Sequence, residues 1–188
     1  MNVLFPIFLK AEHLQFLIVG GGNVGLEKLE ALLKNAPNTK VTVLAPLIRQ
    51  EIEDLAKVHN LSLVYEIYDK KHLKEKNIVL VGTDRPEVNK QVQVDCKSEN
   101  ILINVADTPD LCDFYLGSVV KKGDLKIGIS TNGKSPTFAK RFREILEQIL
   151  PETLQETLDN LQEIRNKLKG GFTEKVDKLN EITKIMKL

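Results

Sequence analysis

The chain has 188 residues, 42% of them hydrophobic, which suffices for a packed core in one medium domain or one domain with a small appendage, so disorder is not expected. Its 27 Lys and Arg against 26 Asp and Glu leave a formal charge of +1, which excludes capture of nucleic acid, anionic lipid or an acidic partner by a global field and makes any charge recognition local. Two cysteines, Cys96 and Cys112, form no CxxC pair and no Cys/His cluster, so neither a zinc site nor a disulfide framework is expected, and a reducing, cytoplasmic setting fits best.

In chain order, the start "MNVLFPIFLKAEH" has no basic leader and no small-residue cleavage site, and the apolar runs are too short to span a bilayer. A protein off the membrane, without a removed signal, is expected. Short β-rich runs then recur at 14–20, 40–45, 61–68, 77–83 and 101–106, with helical patterns between them. Such alternation predicts a parallel sheet covered by helices, and runs nearly continuous in Val, Ile and Leu predict strands buried on both faces. The first ~110 residues therefore read as a Rossmann-like, doubly wound α/β unit.

After Asp107 the pattern changes. "SVVKKGDLKIGIST" (118–131) sets Lys-Lys-Gly-Asp between apolar runs and predicts a hairpin. "SPTFAKRFREILEQIL" predicts a helix to about Leu150, with Ser135 as N-cap and Pro136 at the first helical position. From Pro151 onward Leu154, Leu158, Leu161 and Leu168 keep helical spacing up to Gly170-Gly171, and Val176, Leu179 and Ile182 resume it. With seven acidic and seven basic residues this tail reads as a helical pair with a solvated outer face. The expected division is 1–112 as a nucleotide-binding domain, 113–150 as a small α+β segment and 151–188 as a C-terminal helical domain.

The stretch "LQFLIVGGGNVGLEKLEALLKN" (14–35) carries the chemistry. Gly20, Gly22 and Gly25 satisfy G-x-G-x-x-G between a predicted strand and a predicted helix, where the first glycine permits the turn, the second lets backbone approach a pyrophosphate and the third packs helix on sheet. Backbone N–H groups at the helix start favour an anion. Glycines that only shape a tight corner are the alternative. About 20 residues on, where an acid usually receives the adenosine ribose, the chain reads "VLAPLIRQ". Ala45 and Pro46 supply no carboxylate. Arg49 either meets a 2′-phosphate or, the reading favoured here, stands solvated on the next helix. The residues alone support a dinucleotide without choosing between NAD and NADP.

Three further stretches, "NVLFPIFL", "GTDRPEVN" (82–89) and "NVADTPDLCDFYLGSVVKKGDLKIGISTNGKSP" (104–136), together with "LIVGGGNVGLEK" and "VLAP", resemble the precorrin-2 dehydrogenase family, the dehydrogenase/ferrochelatase part of siroheme synthase. The resemblance covers about residues 2–150 in the same order. It implies oxidation of precorrin-2 to sirohydrochlorin with NAD as hydride acceptor, in a homodimer whose interface is built largely from the segment after the nucleotide domain. Some members also insert ferrous iron, so a bifunctional dehydrogenase and ferrochelatase is the alternative. A dinucleotide-sensing regulatory module is a further one, though it gives no reason for residues 104–136. The family uses NAD without the usual acid after the second strand, so Ala45 matches its pattern. No methyltransferase domain follows within this chain, and methylation is not assigned.

The resemblance implies that Asp107 acts in dehydrogenation, just beyond the fifth strand's carboxyl end, where open α/β sheets bind ligands; capping the turn at "TPD" is the alternative. Cofactor-binding residues are expected at Gly20, Gly22, Asn23, Val24, Gly25, Pro46, Thr83, Asp84 and Asn104, with loop capping open for Thr83, Asp84 and Asn104. Thr131, Asn132 and Lys134 are the expected tetrapyrrole contacts, a plain turn being the alternative. Lys140, Arg141 and Arg143 add basic charge for substrate carboxylates or simply face solvent. Phe114 and Tyr115 line a flat pocket or pack in the core. His13, His59 and His72 share no ligand spacing and read as surface residues, so no metal is expected.

Overall fold

The computed structural model describes residues 2–186. The chain forms two compact units, one running up to Gly117 together with Asn132–Lys134, the other comprising Ser118–Thr131 together with the chain from Ser135 onward.

The first unit holds a five-stranded sheet in the order β3-β2-β1-β4-β5, formed by β1 (Gln15–Val19), β2 (Lys40–Leu44), β3 (Leu61–Val64), β4 (Ile78–Val81) and β5 (Leu102–Val105), with every adjacent pair parallel. Parallel neighbours need crossovers, and α1 (Asn23–Asn35), α2 (Gln50–Ala56) and α3 (Pro86–Ser98) supply three of them. This is the doubly wound arrangement expected from the alternating runs. Because side chains alternate across a strand, the sheet has two apolar faces. Phe16, Ile18, Val41, Val43, Ile78 and Leu80 pack with Leu29 and Leu33 of α1 and Ile52 of α2. Leu17, Val19, Val79, Val81, Ile103 and Val105 pack with Val92 and Cys96 of α3 on the other side. Leu29 and Leu33, one turn apart, are the buried stripe that holds α1 down. Pro86 opens α3 at a position where no backbone donor is needed.

β3 ends at Val64, four residues short of the expected run. It is an edge strand, bonded only to β2, and Tyr65 and Ile67 beyond it are exposed, so nothing extends the ladder.

In the second unit β6 (Ser118–Lys122) and β7 (Leu125–Ile129) pair antiparallel with Lys122 opposite Leu125. The two-residue turn is Gly123-Asp124, and Gly123 supplies the left-handed backbone (φ 58°) that such a turn needs. α4 (Pro136–Ile149) begins as its sequence predicts, with Ser135 Oγ accepting from Phe138 N at 3.1 Å. α5 (Leu154–Lys167) and α6 (Phe172–Ile182) follow, separated at Gly170-Gly171.

Leu80 sits fully buried on interior strand β4. Leu80→Ala is expected to lower the unfolding free energy by about 2–5 kcal/mol, read in urea titrations as a lower midpoint with an unchanged slope.

Candidate functional site

The chain crosses from β1 to β2 on one side and reaches β4 on the other, so the strand order reverses between β1 and β4. Ligand crevices of open α/β sheets form at the carboxyl end of this reversal. The residues following β1, β2, β4 and β5 line it.

After β1, the glycines take different roles. Gly20 is left-handed (φ 124°), and a Cβ there would lie 2.6 Å from Gly82 O in the β4–α3 loop. A Cβ on Gly25 would lie 2.0 Å from Gly20 O, and one on Gly21 would lie 2.3 Å from Leu47 O in the loop after β2. A Cβ on Gly22, by contrast, would meet no protein atom within 4 Å. Three glycines thus permit backbone to touch backbone, while Gly22 leaves its approach open beside the start of α1, where no side chain caps the helix. Such a cradle of bare backbone fits a pyrophosphate. Gly82 belongs to the same packing, since a Cβ there would come within 2.9 Å of Val24 Cγ1. Gly21 and Gly82 lay outside the sequence motif; the Gly-Gly-Gly run was the signal for the first.

After β2, Ala45 is buried and its N–H continues the ladder to Val64 O at 3.1 Å, whereas Pro46 is exposed at the rim. Arg49 is exposed, as the solvated reading has it, and it also makes specific bonds. Its backbone N donates to Gly21 O at 3.0 Å, its Nη1 donates to Asn23 Oδ1 at the start of α1, and its Nε and Nη2 engage both carboxylate oxygens of Glu51. Arg49 is the N-terminal boundary of α2, and the side chain folds back over the glycine turn.

After β4, Thr83 Oγ1 donates to Asn89 Oδ1 and accepts from Arg85 N at 3.2 Å, and Asn89 Nδ2 returns a bond to Thr83 O at 3.2 Å. The hydroxyl is therefore engaged in the loop. Asp84, next to it, is exposed.

After β5, Ala106 N still bonds to Val81 O, and Asp107 then turns into left-handed backbone (φ 53°) with its side chain exposed. A non-glycine residue in that conformation is held there by its surroundings. The Cys112 thiol supplies them: Sγ accepts from Val105 N at 3.2 Å and donates towards Val105 O at 3.2 Å and Thr108 O at 3.4 Å, tying the loop to the strand end. Burial pushes this thiol's pKa above its ordinary value, and so keeps it in the protonated, donating form.

Beneath Asp107 lies a residue the sequence reading passed over. Lys28 of α1 donates from Nζ to Asn104 Oδ1 at 2.6 Å, and Asn104 Nδ2 donates to Phe114 O at 2.8 Å. Asn104 is buried and both ends of its amide are occupied, so it serves as a strut and not as an open contact. Burial lowers the Lys28 pKa, opposed by the Cys112 thiol, Glu27 and the Asp107 carboxylate. The ammonium thus stands within electrostatic range of Asp107 and fastens α1 to β5. Only the 76-residue separation of Lys28 and Asn104 hid the pair. Phe114 packs into the core beside it, and Tyr115 is more exposed.

Between β7 and α4, Thr131 Oγ1 accepts from Ser135 N at 3.0 Å, Asn132 and Gly133 are both left-handed (φ 55° and 75°), and Lys134 is exposed. His72, expected at the surface, is instead a half-buried loop cap: its Nδ1 lies 3.1 Å from Asp69 N and its Nε2 3.1 Å from Glu66. Among the described residues no three His, Cys, Asp or Glu side chains gather as a metal site, and no helix is long and apolar enough to cross a membrane.

A family model described as putative NAD(P)-binding matches residues 7–118. The chain belongs to that putative NAD(P)-binding family. A second model, sirohaem biosynthesis protein central, matches residues 122–149. Among curated proteins the chain is similar to siroheme synthase of Psychrobacter sp. (strain PRwf-1), 43% identical over 148 residues that cover 79% of this chain and 30% of that protein. It is also similar to siroheme synthase of Pseudoalteromonas translucida (strain TAC 125), 35% identical over 92% of this chain and 36% of the relative. The chain thus spans about a third of the length of these relatives. Among solved structures it superposes on SirC, precorrin-2 dehydrogenase, with a TM-score of 0.76 and 25% identity, covering 95% of this chain and 89% of the other.

The glycine geometry separates folding from binding. Gly22→Val is expected to keep the melting temperature while weakening NAD binding, because its side chain meets no protein atom. Gly25→Val is expected to lose folded protein, because its Cβ collides with Gly20 O. Thermal melts and calorimetric titration of both variants check this; unchanged affinity in a folded Gly22→Val would displace the pyrophosphate from this turn.

Proposed function

We propose that this chain is an NAD-dependent dehydrogenase that oxidises precorrin-2 to sirohydrochlorin in siroheme biosynthesis. The observation that carries the reading is Asp107, held in left-handed backbone at the carboxyl end of β5 in the crevice of a chain that superposes almost throughout on a precorrin-2 dehydrogenase. Gly20, Gly22, Asn23, Val24 and Gly25 would hold the dinucleotide's pyrophosphate, Pro46 its adenosine side, and Thr83 (through its main chain) and Asp84 its nicotinamide half, with Asn104 supporting from below. Bound NAD would supply a two-electron hydride acceptor.

The chain's own residues do the rest. Loss of hydride from a saturated macrocycle carbon leaves a cationic conjugated system, which becomes product by losing a proton. The Asp107 carboxylate stabilises that cation and receives the proton. Lys28, fastened to Asn104, fixes the strand end from which Asp107 projects. Thr131, Asn132 and Lys134 are the proposed contacts to the substrate, the lysine matching its carboxylates.

A homodimer acting in the cytoplasm belongs to the same proposal, as does the division into 1–112, 113–150 and 151–188. Support for the dimer is the outer stripe of α4, where Phe138, Phe142, Ile145 and Ile149 recur at helical spacing and are all exposed, Phe138 and Phe142 stacked at 6.0 Å. A second copy would cover these side chains. Two free cysteines, one buried, suit a reducing compartment.

Anaerobic incubation with freshly made precorrin-2 and NAD, followed by nicotinamide absorbance and the product spectrum, tests the activity; no reduced nicotinamide would refute it. Ferrous iron added to sirohydrochlorin reads the chelatase alternative in the same vessel. Asp107→Ala is expected to lower turnover by about a hundredfold or more while its NAD affinity stays unchanged. For the assembly, Phe142→Asp is expected to shift sedimentation from dimer to monomer.

A further inference from the structure

The corner after β2 lacks the acid that usually receives the adenosine ribose, but it is not without charge. Arg49 stands there with its backbone bonded to Gly21 of the pyrophosphate turn and its guanidinium divided between Asn23, the first residue of α1, and Glu51. The Glu51 contact is bidentate, Nε to Oε2 at 3.1 Å and Nη2 to Oε1. Each of the three guanidinium nitrogens therefore makes one bond to this chain's own side chains. An adenosine reaching from the glycine turn towards the end of β2 must pass this cluster, since Gly21 touches Leu47 and Arg49 directly.

We propose that the Arg49–Glu51 pair, anchored over the glycine turn through Asn23, is the specificity element that makes this chain take NAD in preference to NADP. The inference rests on the dinucleotide reading above and goes beyond it by assigning the selectivity to named residues. An arginine near the end of the second strand is the usual receiver of a ribose 2′-phosphate, and a free guanidinium here would serve. Glu51 prevents it in two ways. It occupies the Nε/Nη2 edge with which the guanidinium would grip a phosphate at two points, and its charge meets a 2′-phosphate as like meets like. A ribose 2′-hydroxyl suffers neither penalty. The ion pair is exposed, so it adds little to folding stability; selectivity depends only on where the charges stand.

The test is calorimetric titration of the full chain with NAD and with NADP, comparing the original sequence with Glu51→Gln, Arg49→Ala and the double variant. The original chain is expected to prefer NAD by about tenfold or more. Glu51→Gln should tighten NADP by about tenfold with NAD little changed, and that gain should vanish in the double variant, because it needs the released guanidinium. Arg49→Ala alone should keep the preference for NAD. If Glu51→Gln leaves the ratio of the two affinities unchanged while NAD still binds, the specificity assignment is overturned and the dinucleotide site stands. If the original chain binds neither dinucleotide, both fall. Both side chains are exposed and circular dichroism checks that every variant is folded.

Discussion

At the glycine turn of the nucleotide-binding unit, loops meet backbone to backbone with no side chain between them. Gly20, Gly21 and Gly25 sit where any side chain would strike a carbonyl oxygen of Gly82, Leu47 or Gly20 itself. Removing Cβ at these points lets the loops after β1, β2 and β4 meet, and that meeting creates the crevice. The β-sheet beneath supplies the burial energy, but burial is indifferent to a shift of an ångström at its rim. Backbone contact is not, and it is what gives the crevice a defined shape around the open flank of Gly22.

The organisation above the sheet follows the same division of labour. Side chains with free polar groups are not simply aimed inward; most are first made fast. Thr83 is locked to Asn89, Asn104 to Lys28 and Phe114, and the Cys112 thiol to both ends of the Asp107 turn. Among the residues after β5, Asp107 is an exposed carboxylate on a loop tied to the strand end by the Cys112 and Thr108 side chains. A group held this way loses little freedom when a ligand arrives, which is how a preformed site gains affinity and rate.

Local signals were legible in the sequence. The five strands, the glycine turn between β1 and α1, the Gly123-Asp124 hairpin and the Ser135-Pro136 helix start all depend on residues within a few positions of one another, and each formed where its pattern placed it. What escaped depends on distance along the chain. Lys28 looked like one more charged residue on an amphipathic helix until β5, 76 residues later, brought Asn104 against it. Arg49 is exposed as read, but its bond to Asn23, 26 positions earlier, had no local signal. Gly82 gave no sign of its role, since its neighbours in space, Gly20 and Val24, belong to the turn after β1 and the start of α1. β3 ended early for a reason of topology: as an edge strand it had a ladder on one side only.

The Lys28–Asn104 bond has a consequence for how the crevice tolerates change. It joins the helix that begins at the glycine turn to the strand that leads to Asp107, so the span between those two points is ruled by a helix, a strand and one ammonium, as the jaws of a caliper are ruled by its beam. Loops elsewhere on the molecule can lengthen, shorten or diverge without stretching that span.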